Sequence, residues 1–172
     1  MKYSIIISLL FLLGFQYDSE AQSIKDLDFL IGKWQLKEVV HKGEANEYTE
    51  RGIRECKYIL DETYIHCDSK ATRKGKSRSY IMNINYNTKT KRFFMTDQFS
   101  DFDFRGNSEI ILDSVGQELH LISPLDVDDG EFFRSRISFK DRNKLIWEGW
   151  SSPFLGERVW NLLYTEEMTR KK

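Results

Sequence analysis

Glu55-Cys-Lys-Tyr-Ile-Leu-Asp-Glu-Thr-Tyr-Ile-His-Cys67 reads as two strand-like runs around Asp61-Glu62. With those two residues as the loop, Ile59 faces Tyr64, Tyr58 faces Ile65, and Cys56 lands opposite Cys67. Counting outward from the loop makes the cysteines a hydrogen-bonded pair, with Cα atoms about 5.5 Å apart, inside the range a disulfide bridges. The alternative is two reduced thiols packed as small hydrophobes. Both are structural roles. A zinc site is disfavoured, because no C-x-x-C occurs and His41, His66 and His120 are scattered.

The period of two set by this hairpin continues in both directions. Strands are expected at Trp34 to Val40, Glu50 to Leu60, Thr63 to Lys70, Ser77 to Tyr86 and Arg92 to Asp97. More follow at Asn107 to Leu112, Glu118 to Ser123, Phe132 to Lys140, Lys144 to Trp150 and Glu157 to Thr165. Turn-rich segments such as Asn87-Thr-Lys-Thr and Asp141-Arg-Asn separate them. Only Ile24 to Ile31 has helical spacing, and Gly32 ends it. About ten short strands without intervening helices predict an all-β, antiparallel up-and-down barrel, the form that leaves no open edge.

Alternation selects an interior. Tyr80, Met82, Ile84 and Tyr86 share one face, and Phe133, Ile137 and Phe139 oppose Arg134, Arg136 and Ser138. Leu145 and Trp147 oppose Ile146 and Glu148, while Trp160, Leu162 and Tyr164 alternate with Asn161 and Leu163. A ten-strand barrel is wide enough for a cavity lined by aromatics and a few polar groups. Candidate ligand contacts are Tyr58, Tyr80, Phe94, Phe133, Arg134, Arg136, Trp147 and Glu148, according to which alternation faces inward. The expected ligand is a small apolar or amphipathic molecule. An enzyme of isomerase, cyclase or hydrolase type in the same cavity would draw its proton-transfer group from Asp97, His66 or Glu148. A third reading is an interaction module with a packed barrel. No G-x-S-x-G, P-loop, dinucleotide fingerprint or H-E-x-x-H occurs, so no cofactor or metal is expected.

Leu27-Asp-Phe-Leu-Ile-Gly-Lys-Trp34 resembles the L-x-F-L-x-G-x-W opening of calycin-like barrels, and in particular of a bacterial, secreted, lipocalin-like domain-of-unknown-function family. Leu60-Asp-Glu-Thr-Tyr-Ile65 and Tyr86-Asn-Thr-Lys-Thr-Lys-Arg-Phe93 match that family's hairpin and turn in order, with Glu62 in place of the usual hairpin glycine. The resemblance spans residues 26–165 and implies a barrel closed at one end by a short helix. It also implies that Trp34 packs across the closed end beneath a basic side chain from a late strand, for which Arg158 is the candidate. It implies no reaction. A haem held by one histidine, known in barrels of similar shape, finds no support in His66 at a strand end.

Ahead of the barrel, Met1-Lys-Tyr3 precedes the apolar run Ser4 to Phe15, too short to span a bilayer and followed by Ser19-Glu-Ala21. Residues 1–21 therefore read as a cleavable signal peptide, 22–31 as the closing helix, 32–166 as the barrel and 167–172 as a basic tail. The expected location is secreted or periplasmic. The 26 Lys+Arg and 27 Asp+Glu of the whole chain become equal once the leader is removed. That neutrality argues against a polyanion partner such as nucleic acid. Three local clusters stand out. Lys70, Arg73, Lys74, Lys76 and Arg78 read as a solvated hairpin tip, and Asp126, Asp128, Asp129 and Glu131 as a turn lacking calcium-loop spacing. Asp97 to Arg105 reads as a lid or edge strand at the barrel mouth.

Overall fold

The structure, a computed structural model, describes residues 23–101, 105–113, 118–122, 132–152 and 160–171. Ten strands form one closed barrel: β1 Gly32–Val40, β2 Tyr48–Ile59, β3 Tyr64–Arg73, β4 Lys76–Asn87, β5 Arg92–Phe99, β6 Arg105–Asp113, β7 Glu118–Ile122, β8 Phe132–Asp141, β9 Lys144–Ser152 and β10 Asn161–Arg170. Each strand pairs antiparallel with its neighbours in sequence, and β1 pairs with β10 to close the ring. Closure pairs both sides of every strand, so no edge is left open as it would be in a flat sheet. The proposed signal segment lies outside the described residues. Among them, no helix is long and apolar enough to cross a membrane.

The hairpin register is the expected one, with Ile59 opposite Tyr64 and Cys56 opposite Cys67. The cysteines are joined as a disulfide. Their Cα atoms are 4.0 Å apart, however, the close approach of a non-hydrogen-bonded pair rather than the wider expected spacing. The loop explains the change. Leu60, Asp61 and Glu62 all have positive φ, so four residues, Leu60 to Thr63, make the turn, and the ladder's parity shifts by one.

A 3-10 helix, Ile24–Leu30, closes one end. Ser23 starts it: the Asp26 carboxylate accepts from the Ser23 N–H at 2.8 Å, and Ser23 Oγ accepts from the Lys25 N–H. Leu27 and Leu30 point into the barrel onto Trp34, whose indole N–H donates to Leu30 O at 2.8 Å. The basic side chain over Trp34 is Arg170, 4.2 Å from the ring, donating to Ile31 O and Phe29 O. Arg158 lies outside the described residues. Gly32 makes the arrangement possible. Its φ is +125°, and a Cβ there would stand 2.5 Å from Arg170 Nη1. Strand β10 thus runs on to Arg170, so residues 167–170 belong to the barrel rather than to a tail.

Three further boundaries move. The basic stretch 70–78 is two long strands joined by Lys74-Gly75, both at positive φ, as a tight hairpin turn demands. Asp97 to Phe99 belong to β5, and 102–104 lie outside the described residues, as do 123–131 with the acidic cluster. A β-bulge interrupts β10 between Leu162 and Tyr164, so Leu162 pairs with outward-facing Trp150 and is exposed. Trp160 lies outside too, under the Arg134 guanidinium at 4.3 Å. Both had been expected inside. Tyr164, beyond the bulge, faces in as expected.

Candidate ligand-binding interior

The inward faces divide the barrel into two halves. Toward the helix-closed end, Met82, Ile84, Met95, Ile110, Leu119, Leu121, Ile137, Met168 and the disulfide surround a recess, with Leu30 below and Arg54 and Trp147 above. Its space admits a water centre over only about 10 Å³, room for roughly one water. All three methionines other than Met1 meet in this recess. The interior is therefore largely filled by side chains, and filled with the most adaptable ones.

Above the recess lies a charged layer. Arg54 and Glu166 are each 2% exposed and paired, Nη1 to Oε1 at 2.9 Å. Arg54 also donates to Ser69 Oγ at 3.0 Å and Tyr80 OH at 2.9 Å, and Tyr80 OH donates to Glu166 Oε2 at 3.2 Å. The Trp147 and Tyr80 rings flank the guanidinium at 5.1 and 5.4 Å. Burial alone would lower the Arg54 pKa, but Glu166 and Tyr80 hold it above the ordinary value. A step nearer the open end, Arg78 donates to both oxygens of buried Glu50 at 2.9 and 3.2 Å and reaches Asp101 at 3.3 Å.

Glu38 sits directly across from Glu166 on one side and Glu50 on the other, so three carboxylates form a row over β10, β1 and β2. Glu166 and Glu50 each hold an arginine; Glu38 has no cation in ion-pair contact among the described residues. Burial, then Glu166 and Glu50, push its pKa up to about 8, against the opposing pull of Arg78 and Arg54. Nearby, burial raises Asp97, while backbone N–H groups of Asp97 and Gly106 hold it back. Gly106 leaves room for that carboxylate, since a Cβ would fall 1.7 Å from its Oδ1. Burial likewise raises Tyr164 and Tyr80. The layer can hold a proton on Glu38 near neutral pH and present fixed hydrogen bonds to the interior.

Of the sequence candidates, Tyr80, Trp147 and Asp97 face this interior, as does the alternation of Phe133. Phe94, Arg134, Arg136, Glu148 and His66 do not. Phe94 points out between Asn85 and Glu109, and Arg136 pairs with Glu148 at 2.8 Å on the outer wall. Arg134 stacks on Trp150 and Trp160 outside. His66 contacts Asn83 Oδ1 at 2.7 Å and Asp68 Oδ2 at 3.1 Å, also outside. Tyr58 is spent at the closed end, hydrogen-bonded to Asp28 beneath Lys25. Residues the sequence reading missed are Glu38, Glu50, Arg54, Arg78 and Glu166. A signal existed for most of them: counting by two from Trp34, Cys56 and Tyr164 puts Glu38, Arg54, Glu50 and Glu166 on inner faces.

The architecture is that of a lipocalin-like barrel. Rv2717c from M. tuberculosis is similar over 87% of this chain and 97% of its own, with a TM-score of 0.64 at 8% identity. The S-type phycobiliprotein lyase CPES from Guillardia theta is similar over 88% and 94%, with a TM-score of 0.57 at 11% identity. At such identities these likenesses establish the fold alone. No family model and no curated protein matches the sequence.

Proposed function

We propose that the protein is exported and that its barrel binds a small, largely apolar or amphipathic molecule between the methionine-lined recess and the Arg54 layer. The carrying observation is that layer. Burying several carboxylates and two arginines inside a barrel stabilises the fold no better than apolar residues of similar volume would, so such an arrangement points to use. Beneath it, Met82, Met95 and Met168 can turn aside at low cost, which lets a recess the size of one water admit a larger guest. The disulfide supports an oxidising compartment and hence the export reading.

Native mass spectrometry of the mature protein, followed by organic extraction, is expected to show a bound species or, in emptied protein, uptake of the neutral probe N-phenylnaphthylamine. Met82→Trp, or Met95→Phe should the first not fold, is expected to abolish uptake by filling the recess. Empty protein from several expression hosts together with no probe uptake would overturn the reading in favour of a packed interaction module.

A further inference from the structure

The neutrality of the chain hides a segregation of charge on the outer wall. From β5 round to β10, outward cations stand beside carboxylates: Arg92 with Glu109, Arg136 with Glu118 and Glu148, and Lys144 with Glu167. The outer faces of β1–β3 differ. There Lys37 stands directly opposite Arg51, and Ile53, the next outward residue of β2 and 47% exposed, has Lys70 directly opposite it. The carboxylates of these three faces, Glu55 and Asp68, lie one row nearer the closed end, held by Lys33 at 3.4 Å and His66 at 3.1 Å. Glu167, beside Lys37 on β10, is held by Lys144 at 3.0 Å. Among the described residues, Lys37, Arg51 and Lys70 therefore have no carboxylate in ion-pair contact. The same surface continues to the open rim in exposed Lys74 and Lys76, whereas Arg73 and Arg78 turn to Asp101, and Arg78 also to Glu50. Like charges facing each other across a strand pair destabilise a sheet, and an isoleucine left in water adds nothing to the core. The fold bears that cost and gains a cationic surface with an apolar centre.

We infer that this wall docks on an anionic lipid surface, with Lys37, Arg51, Lys70, Lys74 and Lys76 over the headgroups and Ile53 reaching toward the acyl boundary. Charge complementarity gives the sign of the partner. The apolar centre selects a bilayer over a soluble polyanion. A charged polymer offers Ile53 nothing, whereas the headgroup–acyl boundary takes up an apolar side chain while long basic side chains around it keep their charges at headgroup level. A polymer also prefers a groove that tracks its backbone, and the outside of a closed barrel is convex. At the rim, Arg73 and Lys74 each lie 4.8 Å from the half-buried Tyr48 ring, which sets an amphipathic aromatic beside cations where the surface would meet it. Docking through this wall and rim brings the open end of the barrel beside the bilayer. The inference stands apart from the interior site and does not need it to be occupied.

The test is co-sedimentation of the disulfide-intact mature protein with vesicles of phosphatidylcholine alone or with about 30% phosphatidylglycerol. At low salt the protein is expected to sediment with the anionic vesicles and not with the neutral ones, and to be released at about 0.5 M salt. Lys37→Gln, Arg51→Gln and Lys70→Gln together are expected to weaken binding about a hundredfold, at about fivefold per cation. Lys89→Gln, Lys140→Gln and Arg142→Gln together change the net charge equally on exposed positions elsewhere and are expected to leave binding nearly unchanged. Ile53→Ser is expected to weaken it about fivefold. No binding to anionic vesicles, equal binding to neutral ones, equal losses in the two triple variants, or full binding by Ile53→Ser would each overturn the inference. Capture by soluble dextran sulfate without vesicle binding would overturn it in favour of a polyanion. The lipid and salt dependence of the unaltered protein needs no substitution, so the inference remains falsifiable if a variant does not fold.

Discussion

Replacing Glu38 by glutamine tests the charged layer where its electrostatics are most exposed to measurement. Glu38 faces Glu166 and Glu50 across two strand pairs and has its pKa pushed up to about 8 from 4.5. In the unfolded chain it loses its proton near pH 4.5, whereas in the barrel it keeps the proton to about pH 8. Between those values the folded state binds more protons than the unfolded one, so stability falls as pH rises. At about 1.4 kcal/mol per pKa unit, the loss from pH 5 to pH 8 integrates to about 3.5 kcal/mol. With a urea slope near 2 kcal/mol/M for a domain this size, the midpoint should fall by about 1.5–2 M over that range. Glu38→Gln mimics the protonated group at every pH, so its midpoint should be flatter across the range and exceed that of the unaltered protein at pH 8. The assay is urea unfolding at pH 5, 6, 7 and 8 with the disulfide intact. If the glutamine variant keeps the same pH slope, the carboxylate row does not hold its proton on Glu38, and the account of the layer fails.

The two kinds of arginine separate next. Arg54→Met leaves Glu166 buried without its cation and should cost about 3–5 kcal/mol, whereas outer-wall Arg136→Ala should cost under about 1 kcal/mol. Similar losses in thermal or urea unfolding would mean that the two faces have been misassigned. Gly149→Ala sets a Cβ 2.2 Å from the Tyr164 ring and should cost about 1–3 kcal/mol, with partial recovery on adding Tyr164→Leu. Absence of any recovery in that double-mutant cycle would refute the contact. Replacing both cysteines with alanine frees an 11-residue separation and should cost about 3 kcal/mol, read as a lower urea midpoint. A midpoint unchanged from that of the oxidised protein would show that the bridge adds nothing.

What could be read from the sequence, and what could not, follows from how a strand encodes its faces. Where one face is clearly more apolar than the other, as in Tyr80 to Tyr86 or Leu145 to Glu148, alternation identified the inner side chains correctly, although Ile81 and Ile146 stand on the outer faces. Strand β2 defeats that rule. Its inner row is Glu50, Gly52, Arg54 and Cys56, while Ile53 stands 47% exposed on the outer wall, so hydrophobicity reads the strand inside out. Parity from the disulfide is the only local guide there, because Cys56 must share a face with its partner Cys67 and hence with every second residue before it. In β10 even parity fails, since the bulge beside Leu163 inserts a residue that no composition marks, and it flips Leu162 and Trp160 outward while leaving Tyr164 within. The charged layer was hidden for the same reason. Glu38, Arg54 and Glu166 lie on three strands separated by up to 128 positions in the chain, and only the closing β1–β10 pairing makes Glu38 and Glu166 neighbours. A barrel's closure thus creates its most unusual electrostatics at the seam, where local sequence carries least information. The residues to vary first in any search for activity are those that the seam brings together.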